Sequence, residues 1–495
     1  MKWSSGNLGR DLKRGLALAV ASGVLCALVF YPYDLWFLGP VCLVPLLVAL
    51  RRTDNLRAAA YLALICGWVF ALVALPWLWS IFSTGAIGAC VLLALPWGLF
   101  GLGTRYLSPR LGVVAGVLMV AVLFTAMEWL RCQGWYFRFS WLQLGAGYVA
   151  SAGSQSTYPL VGVYGLTFLT ALVNAAVAAA WRQGEARVRL QGIGAAAALV
   201  VVLVLGFRVA WLVDLRPQAE SYDRPVKVLM VQSEMEDLDW FVDQTRAHAG
   251  TRPQLVVWPE LAINDYVEDD APTMGRLQGL ARELGAVLVL GCKSHVPAGV
   301  RCDWLRRRAM RQAEGDIYYN SALVIGPTGE VLGRYHKRHP IQLFADGVPG
   351  PGYPVFPTPA GKLGLAICYD LDFADTALSL ARHGAELLIV PTFDAYDWGR
   401  VQQVQHARLA LVRAAEVHRC VVRPTSSGVS QIIAPGGEQV TFLARGPASL
   451  TTGVVGLRDD RTPYVRGMWL LPYACLLMSV LVLAWTGVND LRRRA

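Results

Sequence analysis

Charged residues are scarce in this sequence, and their scarcity argues against a soluble globular protein. Asp, Glu, Lys and Arg make up 16% of the 495 residues, whereas hydrophobic residues make up 55%. Soluble domains usually contain about 25% charged residues. The first question is therefore which segments cross a membrane.

Paired cysteines are also missing. The ten cysteines are scattered singly, with no C-x-x-C motif and no repeated spacing. This pattern indicates neither a zinc site nor a framework of disulfides. We expect most of these thiols to be small, buried hydrophobic groups.

Long apolar runs, by contrast, are abundant. A helix needs roughly 20 apolar residues to cross about 30 Å of hydrocarbon, and eight segments are predicted to do so. The second, between Asp34 and Arg51, is short, so it is a span, a re-entrant segment or part of its neighbour. The predicted spans are 13–31, 35–50, 58–82, 84–104, 111–130, 159–181, 192–213 and 467–487.

Acidic residues are rare outside one part of the chain. Residues 214–466 contain 27 Lys and Arg against 29 Asp and Glu, and the remainder contains 18 against 6. The net charge of +10 therefore belongs to the membrane part, which excludes a basic nucleic-acid-binding domain. Alternate connections carry the positive charges, so both termini are predicted to be cytoplasmic and the long polar segment extracytoplasmic. The first span is too long, and too closely followed by others, for a cleaved signal peptide.

The polar segment, residues 224–458, has the pattern of an α/β domain. Short β-branched runs alternate with amphipathic stretches, which predicts a buried sheet covered by helices. Gly329 and Gly437 lie in GPTGE and APGGE, which predict hairpin turns. The predicted strands are 226–232, 254–258, 286–291, 320–326, 363–368, 385–390, 420–422 and 430–435, and the predicted helices are 272–285, 372–384 and 400–419.

Three reactive side chains follow apolar runs of this domain. Glu260 follows VVWP, Lys337 follows GRYH and Cys368 ends LGLAIC. In α/β sheets the ends of strands are where sites are built. Taken singly, such a glutamate is more often a helix cap, such a lysine a solvated side chain and such a cysteine an inert core residue.

Together, in this order, the three residues resemble those of the nitrilase, or carbon–nitrogen hydrolase, superfamily. Supporting motifs are YYNSALVIGPTGEVLGRYHK, GAELLIVPT and HARLALVRAAEVHRCVVRPTSSGVS. The seven-plus-one arrangement of spans, and residues 127–168, are similar to the apolipoprotein N-acyltransferase family within it. The resemblance implies a multi-pass α-helical membrane domain with an inserted αββα sandwich, the catalytic domain. Its implied parts are a membrane domain over 1–213, a catalytic domain over 224–458, an eighth span over 467–487 and a cytoplasmic tail over 488–495.

The resemblance also implies a thioester mechanism. A free thiol is only a few per cent ionised at neutral pH, so Cys368 needs a base. By resemblance Glu260 is that base, and Lys337 with the backbone N–H of Tyr369 binds the oxyanion. The chemistry requires no metal and no cofactor. Cys368 takes an acyl chain from a phospholipid and passes it to the α-amino group of a diacylglyceryl-cysteine lipoprotein, at the bacterial cytoplasmic (inner) membrane.

Several positions depart from the family pattern, and these departures bear on the identity of the substrate. Asp346 occupies the position of the family's second glutamate. Asp370 occupies the position where the family has Glu in Cys-Tyr-Glu. Only 30 residues separate Lys337 from Cys368, which is closer to soluble nitrilases and favours an alternative, a membrane-tethered amidase. VPTFDAYDWG replaces an Asn-rich run. A transporter with an inactive domain is the remaining alternative.

Two aromatic features have open interpretations. Trp240 matches a family position near the acyl site, or it is an ordinary core or interfacial residue. The loop from Arg131 to Tyr158 is rich in Trp, Tyr and Phe. Its aromatic residues are either interfacial anchors or groups that hold acyl chains.

Overall fold

The computed structural model describes residues 8–151, 155–180, 222–234, 236–312 and 317–493. It divides into two compact units, one of residues 1–214 with 466–495 and the other of residues 215–465. We call them the membrane unit and, after the side of the membrane that the sequence predicts for it, the outer unit. The seventh predicted span, 192–213, lies outside the described residues.

The membrane unit is helical because its long apolar segments have no water to bond in lipid. A helix satisfies the backbone N–H and C=O groups of such a segment by hydrogen bonds within the segment itself. Five described helices are long and apolar enough to cross a membrane, and they correspond to the third, fourth, fifth, sixth and eighth predicted spans. The helices are α1 Leu8–Leu28, α2 Val44–Arg52, α3 Leu56–Ala74, α4 Leu78–Phe82, α5 Gly85–Leu107, α6 Val113–Trp129, α7 Tyr158–Ala180 and a C-terminal helix, Leu471–Arg492.

Of the three interpretations of segment 35–50, a full span does not fit the structure. A 3₁₀-helix over Trp36–Val41 contains Pro40 and ends before α2 begins. With nine residues and a rise of 1.5 Å per residue, α2 covers about 13 Å, less than half of the bilayer core. The predicted third span also stops early, because α3 ends at Ala74 and a separate short helix follows.

The remaining span predictions differ in detail. Charged residues occupy the first turns of α1, so its crossing of the membrane stays a prediction. The C-terminal helix continues to Arg492, and most of the predicted tail over 488–495 is therefore helical. Helices α3 and α5 pack closely at Gly101, where a Cβ would lie 2.5 Å from the Ala59 carbonyl oxygen. Small residues allow such close approach in membranes.

The aromatic loop after α6 is folded back and pinned by buried polar groups. Glu128 accepts hydrogen bonds from the Leu144 backbone N–H at 2.7 Å and from the Thr167 hydroxyl at 2.5 Å. Trp141 is 3% exposed and packs on Trp77, with ring centroids 5.0 Å apart. Trp141 is therefore a packing residue rather than an exposed anchor, whereas Tyr136 of the same loop is 44% exposed.

The outer unit is the predicted αββα sandwich. One sheet has the order β13-β1-β2-β4-β5-β6, with β3 beside β4, and the other has the order β12-β11-β10-β9-β8-β7. The strands are β1 Pro225–Gln232, β2 Leu255–Val257, β3 Ile263–Tyr266, β4 Val287–His295, β5 Tyr318–Ile325, β6 Val331–His336, β7 Val355–Thr358, β8 Gly361–Leu365, β9 Leu387–Ile389, β10 Cys420–Arg423, β11 Ser430–Ile433, β12 Gln439–Leu443 and β13 Ser449–Gly456.

Helices cover both sheets. Two pack on the first sheet, through β1 and β5, and two on the second, through β8 and β10. Strands β1, β2 and β4 are parallel, as are β8, β9 and β10, so the carboxyl ends within each set meet at one edge. The helices are α8 Leu238–Ala247, α9 Ala271–Leu284, α10 Trp304–Gln312, α11 Ala374–Arg382, α12 Arg400–Val417 and the short α13 Pro463–Arg466.

Candidate active site

Glu260 is carried by the segment that follows β2. The next residue, Leu261, has a left-handed backbone, with φ 50°, and the turn brings Glu260 across β4. A Cβ at Gly291 of β4 would lie 2.6 Å from the Glu260 Cα. Glycine at 291 is therefore what lets the backbone of Glu260 approach the strand this closely.

Lys337 follows β6 directly and is 1% exposed. Its Nζ donates to Glu260 Oε1 at 2.8 Å and lies 2.8 Å from Asp346 Oδ2. The side-chain amide of Asn320, on β5, donates to the same two carboxylates at 2.7 and 2.8 Å. One buried cation thus faces two carboxylates, and an amide joins them.

Cys368 lies at the sharp turn after β8. Its φ is +51°, a conformation that costs a residue with a Cβ of order 1–3 kcal/mol and that clusters at active sites. A similar strained strand-to-helix turn exposes the nucleophile in α/β-hydrolases. A 3₁₀-helix over Cys368–Asp372 follows, so the thiol sits at the end of the strand and the start of a helical turn.

The peptide of Phe393 connects the thiol and the base. Its N–H donates to Glu260 Oε2 at 2.7 Å, and its carbonyl oxygen accepts from the Cys368 thiol at 3.6 Å. The neighbouring Cys368 thiol also lowers the pKa of Glu260, although by less than Lys337 does. Glu260 is therefore held by Lys337, Asn320 and Phe393 while it faces the thiol.

The electrostatics keep the thiol protonated at rest. Burial, and then the Glu260 carboxylate, raise the pKa of Cys368 well above its ordinary value, although Lys337 opposes them. Burial also raises the pKa of Glu260, against the effect of Lys337. Burial opposes the charge of Lys337, but Asp346 and Glu260 outweigh it and raise the pKa of the amine. The arrangement is a neutral thiol beside a carboxylate paired with an ammonium, ready for proton transfer to Glu260.

Asp346 is brought into this group by the connection after Lys337. Besides its contact with Lys337, its Oδ2 accepts from the Ile341 N–H at 2.8 Å. The connection is tied to β5, because the Val348 N–H donates to the Tyr318 carbonyl at 3.0 Å. The structure therefore places Asp346 beside Glu260 and Lys337, and its role in catalysis stays a prediction.

Asp370 has the geometry of a positioning residue. Its Oδ2 accepts from the Ile367 N–H at 2.9 Å and the Tyr335 hydroxyl at 2.7 Å, and its Oδ1 from the His339 N–H at 2.6 Å. Burial raises its pKa to about 6. These bonds tie the turn at Cys368 to the segment after Lys337, and the predicted contact with substrate is untested.

The other two predicted site residues, Tyr369 and Trp240, lie in different parts of the outer unit. Tyr369 follows Cys368 directly, is 6% exposed and packs edge-on against Phe373. Trp240 lies on α8, edge-on to Phe241, against the core cluster that contains Trp258. These contacts give Trp240 a packing role, and its place at an acyl site stays a prediction, as does the oxyanion role of Tyr369.

A buried ionic cluster behind Phe393 was not predicted. Asp394 accepts from His406 Nδ1 at 2.7 Å and from Arg423 Nη2 at 2.8 Å, and Asp372 lies 3.4 Å from His406 Nε2. Burial opposes the charge on His406, but the two aspartates outweigh it and raise its pKa to about 9. The cluster anchors the segment whose peptide holds Glu260. The only sequence signal for it was the FDAYDW departure from the family pattern.

Aromatic side chains surround the segment that holds the base. Trp398 lies 5.9 Å from Phe393 and 6.2 Å from Phe344, measured between ring centroids. Leu343, beside Phe344, is 48% exposed. We call these four residues the apolar mouth. It is built from the connection after Lys337 and the segment after β9, which also carry Asp346 and the Phe393 peptide.

Comparison with known proteins agrees with this geometry. Residues 225–457 match the family model described as carbon–nitrogen hydrolase, and residues 22–176 match the N-terminal domain of apolipoprotein N-acyltransferase. The chain belongs to the apolipoprotein N-acyltransferase family. It is thus a bacterial membrane protein whose outer unit is of the nitrilase type.

Relatives named apolipoprotein N-acyltransferase match this family member over almost their whole length. The protein from Geobacter metallireducens is 26% identical over 95% of each chain. The protein from Methylococcus capsulatus is 27% identical over 92% of this chain and 93% of its own. The protein from Azotobacter vinelandii is 29% identical over 97% of this chain and 96% of its own. The likeness therefore includes both units.

Proposed function

We propose that this protein moves a fatty acyl chain from a phospholipid, through a thioester on Cys368, to the α-amino group of a diacylglyceryl-cysteine lipoprotein. The observation that carries the proposal is the buried group in which the Phe393 backbone links the Cys368 thiol to Glu260, which is itself paired with Lys337. Such a pair supplies both a base for the thiol and a cation for an oxyanion.

The first half-reaction begins with transfer of the thiol proton from Cys368 to Glu260. The sulfur attacks the ester carbonyl carbon, and the carbonyl electron pair moves to oxygen, where Lys337 and the Tyr369 N–H stabilise it. Collapse breaks the bond from carbon to the glycerol oxygen, which takes the proton from Glu260 and leaves as lysophospholipid. Each hydrogen-bond donor to the oxyanion typically contributes about 10²- to 10³-fold in rate.

The second half-reaction uses the same groups in reverse. Glu260 takes a proton from the attacking α-amino group, nitrogen bonds to the thioester carbon, and the carbon–sulfur bond breaks. The thiolate recovers the proton from Glu260, and the product is an amide. Because the acyl chain is held on Cys368 between the two steps, the lysophospholipid leaves before the acceptor reacts, which is ping-pong kinetics.

The apolar mouth supports a lipid substrate. Phe344, Phe393 and Trp398 place aromatic surface around the segment that touches the thiol. A site for a small amide needs only a few polar groups and little apolar area, whereas an acyl chain gains about 0.8 kcal/mol for each buried CH₂. The charge distribution supports placing this outer unit on the extracytoplasmic side, with both termini cytoplasmic.

The amidase alternative has one observation in its favour, the connection of 30 residues between Lys337 and Cys368. An amidase would use water as the second nucleophile. The test is product analysis after mixing full-length protein, labelled phosphatidylethanolamine and a diacylglyceryl-cysteine peptide. We expect label in the triacylated peptide. Two results together would support the amidase instead. The complete mixture would release free fatty acid and give no labelled peptide, and a mixture without the peptide would show no persistent thioester.

A further inference from the structure

A cavity of about 400 Å³ lies in the membrane unit, where α2 and α5 end and α6 begins. Ligand pockets commonly measure about 300–1,000 Å³. Helices α5 and α6 are both long and apolar enough to cross a membrane, so their adjoining ends lie at a membrane surface. This is the level of phospholipid headgroups.

One side of the cavity is cationic. Arg51 of α2 and Arg105 of α5 line it. Arg105 is oriented by hydrogen bonds to the Thr53 carbonyl and, at 2.8 Å, to Asp54, and Arg51 donates to the Ala178 carbonyl. The carboxylate of Asp54 is 90% exposed, so water screens its charge far more than it screens the two guanidinium groups.

A buried hydroxyl on the same lining lacks a partner. Thr104 is 4% exposed, and among the described residues its Oγ1 has no hydrogen-bond partner. A buried hydroxyl without a partner costs about 1–3 kcal/mol. The first turn of α6, a helix of 17 residues, begins at Val113 on the cavity wall. Backbone N–H groups at such a terminus favour an anion.

The rest of the lining is apolar. Leu50, Leu111 and Val117 contribute to it, and Val114, next to the wall residue Val113, is 84% exposed. A ligand that fits has an anionic end for Arg51, Arg105 and Thr104 and an apolar end for the surrounding hydrocarbon. Phospholipids with a phosphate group have this chemistry, and basic pockets between membrane helices bind their headgroups.

We propose that this cavity binds the phosphate of an anionic phospholipid, as a site separate from Cys368. The phosphate oxygens accept from Arg51, Arg105 and the Thr104 hydroxyl, and the acyl chains lie along the helix surfaces. The proposal does not depend on acyl transfer. Lipid at this site would join the ends of α2, α5 and α6.

The test measures binding of diether phosphatidylglycerol to the full-length protein in detergent by native mass spectrometry. Ether chains cannot be transferred to Cys368, so acylation does not interfere. Gly116→Leu fills the cavity, because Gly116 lines it and a Cβ there meets only the Ser108 carbonyl oxygen, at 4.0 Å. Arg105→Gln and Thr104→Val remove polar contacts. Controls are Gly88→Leu, where a Cβ meets nothing within 4 Å, and Arg110→Gln, whose side chain pairs with Asp490.

We expect Arg105→Gln to weaken lipid binding by about tenfold or more, the usual effect of losing a charge-assisted contact. Gly116→Leu should weaken it at least as much, because the new side chain occupies the cavity. Thr104→Val should weaken it less, and both controls should stay close to the wild type. Unchanged binding in Gly116→Leu and Arg105→Gln would overturn the proposal. A parallel arm adds inorganic phosphate; if millimolar phosphate displaces the lipid completely, the site belongs to a soluble phosphate and the lipid assignment fails.

Discussion

At the scale of single residues, the site works because buried charges satisfy one another. Glu260 is 4% and Lys337 1% exposed, and either charge alone in such a place would be costly. Their contact, with Asp346 and Asn320 around it, keeps the carboxylate ionised beside a neutral thiol. Glu260 is therefore placed to receive the proton of the Cys368 thiol.

The pKa of Glu260 predicts the acid side of the rate profile. Burial raises this pKa above its ordinary value of 4.5, and only the carboxylate form accepts the thiol proton. The rate of thioester formation should therefore fall as the pH drops through a value above 4.5, measured by rapid quench with a phospholipid donor. Above that pH, Glu260→Gln should lose about 10²- to 10⁴-fold in rate, and the variant should lack the fall on the acid side. An unchanged profile in Glu260→Gln would remove Glu260 from the role of base.

His406 predicts how stability depends on pH. Its pKa is raised to about 9 in the folded protein, from an ordinary value of 6.5. Its ion pairs therefore contribute fully below pH 6.5, and the contribution is lost as the pH rises through about 9, by on the order of 3 kcal/mol. The unfolding temperature of the wild type should fall over this interval.

The matched variants for this prediction are His406→Gln and His383→Gln, the second at an exposed position on the outer unit. Thermal unfolding followed by tryptophan fluorescence at pH 6.5 and 9 gives the comparison. His406→Gln should be destabilised at pH 6.5 and show a flatter pH dependence, whereas His383→Gln should follow the wild type. If the unfolding temperatures of all three proteins changed with pH in parallel, His406 would be ruled out as the source of the pH dependence.

The sequence singled out three residues that the structure brings together, but it did not single out the residues that hold them. Glu260, Lys337 and Cys368 were singled out because their order and the motifs around them resemble a known family, since a strand end alone is not specific. Asn320 was not singled out, because its two carboxylate partners are 60 and 26 positions away along the chain. A contact at such separation leaves no local pattern. His406 was missed for the same reason, since it lies within an otherwise ordinary helix.

At the scale of elements, strand ends determine the geometry of the site. The predicted strands were those with buried apolar runs in the centre of each sheet, and the hairpin turns at Gly329 and Gly437 are confirmed by φ values of +85° and +89°. Strand β12 was not predicted, because its residues alternate little and it lies at the edge of its sheet. Segment 35–50 does not form one full span, because a count of apolar residues does not detect the helix breaks at its prolines.

The close approach of the Glu260 segment to β4 predicts the effect of Gly291→Ala. The added Cβ would lie 2.3 Å from the Leu261 nitrogen, so the backbone carrying Glu260 must shift. Because a misplacement of about 1 Å can cost 10²-fold in rate, thioester formation should fall by about that factor. Gly279→Ala on α9, where a Cβ meets nothing within 4 Å, is the control and should keep the full rate. Equal rates for both variants would contradict the geometry.

The apolar mouth predicts chain-length selectivity. Trp398→Ala removes the ring that contacts both Phe393 and Phe344. Donors with long acyl chains should lose about tenfold or more in kcat/KM, and short-chain donors should lose less, because they gain less from this surface. The control is Trp304→Ala, whose ring is 67% exposed and contacts Arg308. An equal loss for short and long chains would mean that Trp398 does not contact the acyl chain.

At the scale of the whole molecule, two units of different composition serve one reaction on lipids. The membrane unit carries the surplus of positive charge and the apolar helices, and the outer unit carries the reactive thiol. Substrates that are both anchored in a bilayer meet a site joined to the same bilayer, which supplies proximity. The cavity at the ends of α5 and α6 gives the membrane unit a proposed binding site of its own.

The most direct measurement is the intact mass of purified full-length protein after incubation with phosphatidylethanolamine, compared with Cys368→Ala. The account predicts one acyl adduct on the wild type, sensitive to hydroxylamine as a thioester is, and none on the variant. Addition of a diacylglyceryl-cysteine peptide should then remove the adduct and acylate the peptide. A folded wild type that gains no adduct from any phospholipid, or an adduct that persists in Cys368→Ala, would contradict it.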